Sequence, residues 1–442
     1  MADDLEKLVT RLEGQAEIVK SLLEFASRAF VIEFAGTPKS GKTTGVEAIR
    51  HFLSRQGFRV YVLTERAAIC PIPMKGHLFF NIWCASSMLA ELMAHVETLT
   101  DVLIVDRGIF DALVWLTLQE KRGELNPTEA RTIESFLLLQ RWRDLTDLVV
   151  VMSVSAEDSL KRELDQRITQ KPGSIMNPEV LGALVSAVDE ATNRYQSNFR
   201  SLLRLDTTGK KPRESNVELA SQVLSCLEAY LNPEILVVPR KDIESLYLHK
   251  GGAFDAEHLA KLLQTIDKSG HFIRRAKAES RTDCVQIIPC GVLTYSGKIF
   301  LFQRKETDPK YRLYGRATIW QGVHVQRREA DNIRTLLERT LLERISQSLF
   351  LSRLFPVFPL GYAWDRDDAR SSRHLGLIYR IEIDNPHTAN DLRKKEFRRL
   401  RGHGLLGQFV PAAELVSRQG ELSLETWSQA ILNNVKENQW KQ

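Results

Sequence analysis

The segment Ile32-Glu33-Phe34-Ala35-Gly36-Thr37-Pro38-Lys39-Ser40-Gly41-Lys42-Thr43-Thr44 decides how the first half of this 442-residue chain is read. Gly36 to Thr43 satisfies G-x-x-x-x-G-K-[ST] at every fixed position. The apolar run Phe30 to Ala35 reads as a buried strand before it, and Thr44 to Gln56 reads as a helix after it. In a strand–loop–helix setting the glycines let backbone N–H groups curl around phosphate oxygens. The helix N-terminus adds its positive end at the same place. Gly36, Thr37, Pro38, Lys39, Ser40, Gly41, Lys42, Thr43 and Thr44 are the expected phosphate-binding residues. Lys42, expected on a solvated loop, would reach the terminal phosphates, and the Thr43 hydroxyl would sit on Mg²⁺.

Working outward, the same alternation continues. Leu5 to Arg28 carries leucines and valines at helical spacing and predicts a leading amphipathic helix. Arg59-Val60-Tyr61-Val62-Leu63 predicts a second strand, followed by a helix from His77 to Glu97. Asp101 to Val105, Leu148 to Met152 and Leu202 to Asp206 supply three more strands. Continuous β-branched runs separated by helical stretches indicate a parallel sheet covered on both faces.

Several residues at strand ends invite chemistry. Asp106, directly after the third strand, is either a carboxylate near Mg²⁺ or the N-cap of the next helix. Arg107 beside it holds a phosphate or substrate hydroxyl, or forms a surface salt bridge. Glu65, just past the second strand, is either a base for an attacking hydroxyl or a solvated loop acid. Ser155 to Arg167 predicts a charged helix running into the loop Lys171-Pro172-Gly173-Ser174. It is read either as an arginine-bearing lid or as a solvated face with paired charges.

Length predicts about two or three domains. A formal net charge of +5 is small for such a chain and gives no strong nucleic-acid signal. The five cysteines include no C-x-x-C pair, so neither a zinc site nor a disulfide framework is suggested. The acidic start, Met1-Ala2-Asp3-Asp4-Leu5-Glu6, lacks a signal-peptide core. No apolar run approaches the roughly 20 residues of a membrane span. The expectation is a cytoplasmic protein with no membrane partner. Composition leaves open whether it forms a homo-oligomer.

Gly36 to Thr43, Thr64-Glu65-Arg66, Asp106-Arg107-Gly108 and the helix with Arg162 and Arg167 stand in the order found in the deoxynucleoside kinase and thymidylate kinase group of P-loop kinases. This half resembles that group over residues 30–230, behind a leading helix at 1–29. The resemblance implies Mg²⁺ and ATP as cofactors and a nucleoside or nucleotide substrate. It implies catalytic roles for Lys42, Glu65, Asp106, Arg107, Arg162 and Arg167, and metal contacts at Thr43 and Asp106. Asn81 and Trp83 fall on the helix that lines the nucleoside pocket in those families. Arg66-Ala67-Ala68-Ile69 departs from the proline-containing turn usual after the glutamate.

From Pro233 onward the pattern changes. Glu234 to Pro239 is strand-like, and Val285–Tyr295, Ser296-Gly297 and Lys298–Gln303 read as strand, turn and strand. Ala317 to Val325 is extended, Ile333 to Leu349 is helical, and Leu375 to Ile383 is a strand. Val237-Val238-Pro239-Arg240, Gly251-Gly252-Ala253-Phe254, Trp320-Gln321-Gly322-Val323-His324-Val325 and Leu424-Glu425-Thr426-Trp427-Ser428 follow in order. On these, residues 233–435 resemble a divergent bacterial Nudix domain. Active Nudix helices present Arg-Glu-x-x-Glu-Glu, whose carboxylates share Mg²⁺. Here Arg339-Thr340-Leu341-Leu342-Glu343-Arg344 stands instead, with Glu329 and Asp331 nearby. One carboxylate beside an inserted arginine is a poor site for a hard cation.

The expected fold is α/β: a P-loop parallel sheet with helices on both faces, followed by an α+β Nudix-like domain. The expected function is Mg²⁺·ATP-dependent phosphoryl transfer to a nucleoside or nucleoside monophosphate, with a non-hydrolytic second half that binds nucleotide. The alternative is an ATP-triggered switch or assembly protein.

Overall fold

The computed structural model describes residues 2–26, 28–74, 76–96, 100–166, 176–246, 248, 252, 254–303, 315–328, 332–349, 351, 355–367, 371–394 and 407–440. The chain divides into two units, Met1–Asn232 and Pro233–Gln442.

Among the described residues, the first unit is built on a five-stranded parallel sheet. Its strands are β1 (Phe30–Gly36), β2 (Val60–Leu63), β3 (Val102–Asp106), β4 (Leu148–Ser153) and β5 (Leu202–Asp206), in the order β2-β3-β1-β4-β5. The helices are α1 (Ala2–Ser21), α2 (Lys42–Arg55), α3 (Leu78–His95), α4 (Ile109–Lys121), α5 (Pro127–Leu137), α6 (Gln140–Arg143), α7 (Ala156–Gln166), α8 (Pro178–Tyr195) and α9 (Pro212–Leu231). β1 is buried along its whole length, so both faces of the sheet must be covered. Ala35, Val149 and Val151 pack under α3, α4, α5 and α8. On the opposite face the Met152 side chain meets Gly45 of α2, which in turn lies against Leu219 of α9. The leading helix ends at Ser21, passes into a 3₁₀ turn at Leu22–Phe25, and packs on α9 within this unit.

The second unit forms a nine-stranded mixed sheet among its described residues. Its strands are β6 (Glu234–Pro239), β7 (His271–Arg274), β8 (Cys284–Tyr295), β9 (Lys298–Gln303), β10 (Ala317–Thr318), β11 (Trp320–Gly322), β12 (Val357–Ala363), β13 (His374–Glu382) and β14 (Gln408–Pro411). The helices are α10 (Arg240–Glu244), α11 (Ala256–Ser269), α12 (Arg275–Ser280), α13 (Ile333–Leu349), α14 (Pro386–Lys394), α15 (Ala412–Ser417), α16 (Gln419–Leu422) and α17 (Thr426–Asn434). β8 is the spine: it pairs with β13 in parallel and with β6, β9 and β11 in antiparallel fashion. Its residues alternate between two cores. Val285, Ile287 and Leu293 face α11 and α13, while Ile288, Cys290 and Val292 face α15 and α17. The β8–β9 turn places Ser296 at φ 49° and Gly297 at φ 69°, the left-handed pair that a tight hairpin requires.

Candidate functional site

The Gly36–Thr43 loop connects β1 to α2 at the carboxyl edge of the parallel sheet. Gly36 has φ 130°, and a Cβ there would lie 1.8 Å from the Met152 carbonyl oxygen, so only glycine fits. Thr37 N donates to that same oxygen at 3.0 Å. Gly41, at φ 91°, is the N-cap of α2. Lys42 is buried rather than solvated, because its amine is drawn into the loop: Nζ donates to Gly36 O at 2.9 Å and to Thr37 O at 2.6 Å. Burial, together with the neighbouring Arg107, lowers its pKa to about 7, against the opposing pull of Asp111, Asp106 and Glu65. Thr43 stays exposed on the first turn of α2. The Ser40 hydroxyl is buried in the loop with no hydrogen-bond partner.

A carboxylate–arginine cluster lies beside the loop. Asp106 ends β3 in register with Phe34 of β1. Arg107 follows at φ 64°, its N–H donating to Phe34 O at 2.9 Å. Its guanidinium reaches Glu65 at 2.8 Å and Asp111 at 3.5 Å. Burial raises the Asp106 pKa and Glu65 adds to the rise, while Arg107 and Lys42 oppose it. Asp106 is not the N-cap of α4. That position is Gly108, and the side-chain acceptor there is Glu33 of β1. Glu33 Oε1 accepts from Gly108 N and Asp111 N, each at 3.0 Å. A Cβ on residue 108 would meet the Glu33 carboxyl at 2.7 Å, which explains the glycine. Burial drives the Glu33 pKa up to about 8, with the Asp111 charge adding to the rise, although the α4 N–H groups oppose it.

The structure gives Arg162 partners other than the phosphate that the resemblance implies. Its guanidinium donates to Lys39 O at 3.0 Å, to the Thr207 hydroxyl at 3.0 Å and to Thr207 O at 2.6 Å. Ser159 Oγ donates to Pro38 O at 3.0 Å, and Lys39 pairs with Glu163 at 2.8 Å. Helix α7 therefore braces the Gly36–Thr43 loop from outside. Arg167 and the loop at 171–174 lie outside the described residues. Asn81 is buried and donates to Ala112 O at 3.1 Å, tying α3 to α4. It also lines an apolar cavity of about 140 Å³ with Ile82, Ala85, Ile133 and Phe136.

In the second unit the helix expected to carry a Nudix box is α13. Arg328 forms an ion pair with Glu343, and Arg334 holds Glu338 at 2.9 Å. Thr340 is buried, its hydroxyl without a partner. Glu329 and Asp331 lie outside the described residues, as do Gly251 and Ala253. The other resemblance segments form joints. Glu425 caps α17 and accepts from the Trp320 indole N–H, while Ile319 N donates to Ser428 Oγ at 3.2 Å. Gly252, at φ 135°, leaves no room for a Cβ, which would stand 2.2 Å from Tyr362 O.

The first unit carries a glycine-rich loop between a strand and a helix of a parallel sheet, and the second unit a mixed sheet. No family model matches the chain. Protein YmaB of Bacillus subtilis (strain 168) is 23% identical over 205 residues, which cover 45% of this chain and 95% of that protein. Among solved structures, Tm1382, a candidate Nudix hydrolase, is similar at 19% identity and a TM-score of 0.34, covering 45% of this chain and 96% of that one. Deoxyadenosine kinase from M. mycoides with bound dCTP is similar at 16% identity and a TM-score of 0.34, covering 44% of this chain and 99% of that one. The same enzyme with dCMP and dCDP bound has a TM-score of 0.35 at 16% identity and the same coverage.

Proposed function

We propose that the first unit binds Mg²⁺·ATP and transfers its terminal phosphoryl group to a nucleoside or nucleoside monophosphate. The observation that carries this reading is the glycine-only joint at Gly36, with buried Lys42 folded into the loop beside Asp106 and Arg107. The donor set suits the group. Backbone N–H groups of residues 36–43 would hold phosphate oxygens, and Thr43 and Asp106 would hold the metal. When bound, the metal supplies positive charge to the phosphates. Lys42 then exchanges its two loop carbonyls for phosphate oxygens. Arg107 brings a guanidinium to the acceptor side, and Glu65, tethered to it, takes the proton of the attacking hydroxyl. The likeness to enzymes crystallised with dCTP, dCMP and dCDP is compatible with such a substrate. The second unit is proposed to bind nucleotide without hydrolysing it, since Glu343, the one carboxylate of its box, pairs with Arg328, and Glu338 just before the box pairs with Arg334.

Glu65→Gln tests the assignment. General-base removal costs about 10²- to 10⁴-fold in turnover. The expected result is a loss of that order with ATP affinity unchanged. Equal losses in affinity and rate would instead make Glu65 a structural partner of Arg107. The switch reading stands if ATP binds, no acceptor is phosphorylated, and ATP changes the oligomeric state.

A further inference from the structure

Three side chains of the second unit, distant in sequence, converge on one point: Glu279, His324 and His374. β8 brings them together. His374, the first residue of β13, lies opposite Gln286 of β8. β11 runs antiparallel to β8, with Gly322 opposite Cys290, and the chain beyond it carries His324 back toward Gln286. Val237 of β6 also pairs with Gln286, and α12, which carries Glu279, packs on β6 and β8. The potential ligand atoms all lie within 4.8 Å of one another. His374 Nε2 is 3.7 Å from Glu279 Oε1, and His324 Nε2 is 4.0 Å from the same oxygen. The two imidazoles meet edge to face, 5.8 Å between ring centres. Gln286, fully buried, places Oε1 2.8 Å from His324 Nε2, a hydrogen bond that an ion bound at that nitrogen would replace.

We infer that Glu279, His324 and His374 form a binding site for a divalent transition-metal ion, with zinc as the ion the donors suit best. Two imidazole nitrogens and one carboxylate oxygen favour such an ion over Mg²⁺ or Ca²⁺, which take oxygen ligands. Bonds of about 2.1 Å in a tetrahedral site put ligand atoms roughly 3.4 Å apart, against 3.7 and 4.0 Å from the two imidazoles to Glu279 Oε1, so a bound ion would draw the three side chains closer together. Three protein ligands leave a fourth position for water or an anionic ligand. The three side chains are each about one-fifth exposed (22%, 21% and 17%), so solvent reaches that position. Glu279 is held at about 2: His374 and His324 beside it, with Arg275, outweigh its burial. His324 is pushed well below its ordinary value by burial, Arg275 and His374. Arg373 donates to the Glu279 carbonyl, which fixes the end of α12. The three residues of this site are not those of the α13 ion pairs.

The test uses the full chain, free of any affinity tag and stripped by a chelator, titrated with zinc chloride and, separately, with cobalt(II). One saturable equivalent per chain is expected, with a rise in melting temperature and cobalt d–d bands of a four-coordinate nitrogen–oxygen site. Glu279→Gln and His374→Ala are each expected to weaken zinc at least about tenfold, while His387→Ala, an exposed histidine on α14, leaves it unchanged. Circular dichroism of each variant separates ligand loss from unfolding. If a variant does not fold, the cobalt spectrum of the parent decides. Absence of one-to-one binding at micromolar metal, a six-coordinate all-oxygen cobalt spectrum, or binding untouched by both ligand substitutions in folded protein would overturn the assignment.

Discussion

Glu33 stands in the middle of an apolar strand, where a carboxyl group is costly to bury. Its compensation is the start of α4, whose N–H groups it accepts. Its folded pKa of about 8 lies above the ordinary 4.5, so the unfolded chain releases this proton first as pH rises. The stabilisation is complete below about 4.5 and declines by about 1.4 kcal/mol per pH unit until the folded group ionises near 8. Glu33→Gln should remove that slope, so denaturant titrations from pH 5 to pH 8 should show the parent losing stability relative to the variant by several kcal/mol. A constant difference would mean that the carboxylate is ionised throughout. Lys42 gives a second test at this scale. Its free pKa of about 7 must rise when phosphate charge arrives, so ATP binding above about pH 7 should take up a proton. Calorimetry in two buffers of different ionisation heat reads that uptake directly, and buffer-independent heats would contradict it. Neither residue's state could be read from the chain: Lys42 was visible as a motif position, but its burial is tertiary, and Glu33 carries no local signal at all.

At the scale of elements, the strands and helices around Gly36 were legible because their periods are strong and continuous. β5, β6, β9 and α13 occupy the expected residues, and the Ser296-Gly297 turn has the backbone its sequence demands. β7, β12, β14 and α12 were not legible, being short or sustained by pairing with β6, β13, β9 and β8 rather than by local pattern. The Glu279–His324–His374 cluster was invisible for the same reason: its members lie on separate elements that meet only through β8. Helix α7 illustrates a role set by contact. Arg162 holds the loop backbone, so Arg162→Ala should lower stability by about 1–2 kcal/mol and weaken ATP binding. An unchanged ATP affinity with a large loss of turnover would instead support the lid role of this arginine.

At the scale of the whole molecule, the two units have different folds, and in the second the α13 carboxylates Glu343 and Glu338 pair with Arg328 and Arg334. Lys42→Ala protein, incubated with dinucleoside polyphosphates, nucleotide sugars and nucleoside triphosphates under Mg²⁺ or Mn²⁺, should therefore show little hydrolysis. Robust turnover abolished by Glu343→Gln would make the second unit a working hydrolase. The central claim remains phosphoryl transfer by the first unit. Its most direct test is transfer of radiolabelled γ-phosphate from Mg²⁺·ATP to a panel of nucleosides and nucleoside monophosphates, with Lys42→Ala alongside. The account expects at least one labelled acceptor with the parent and none with a Lys42→Ala protein of unchanged circular dichroism; no labelled acceptor across the panel, or equal labelling by the variant, would contradict it.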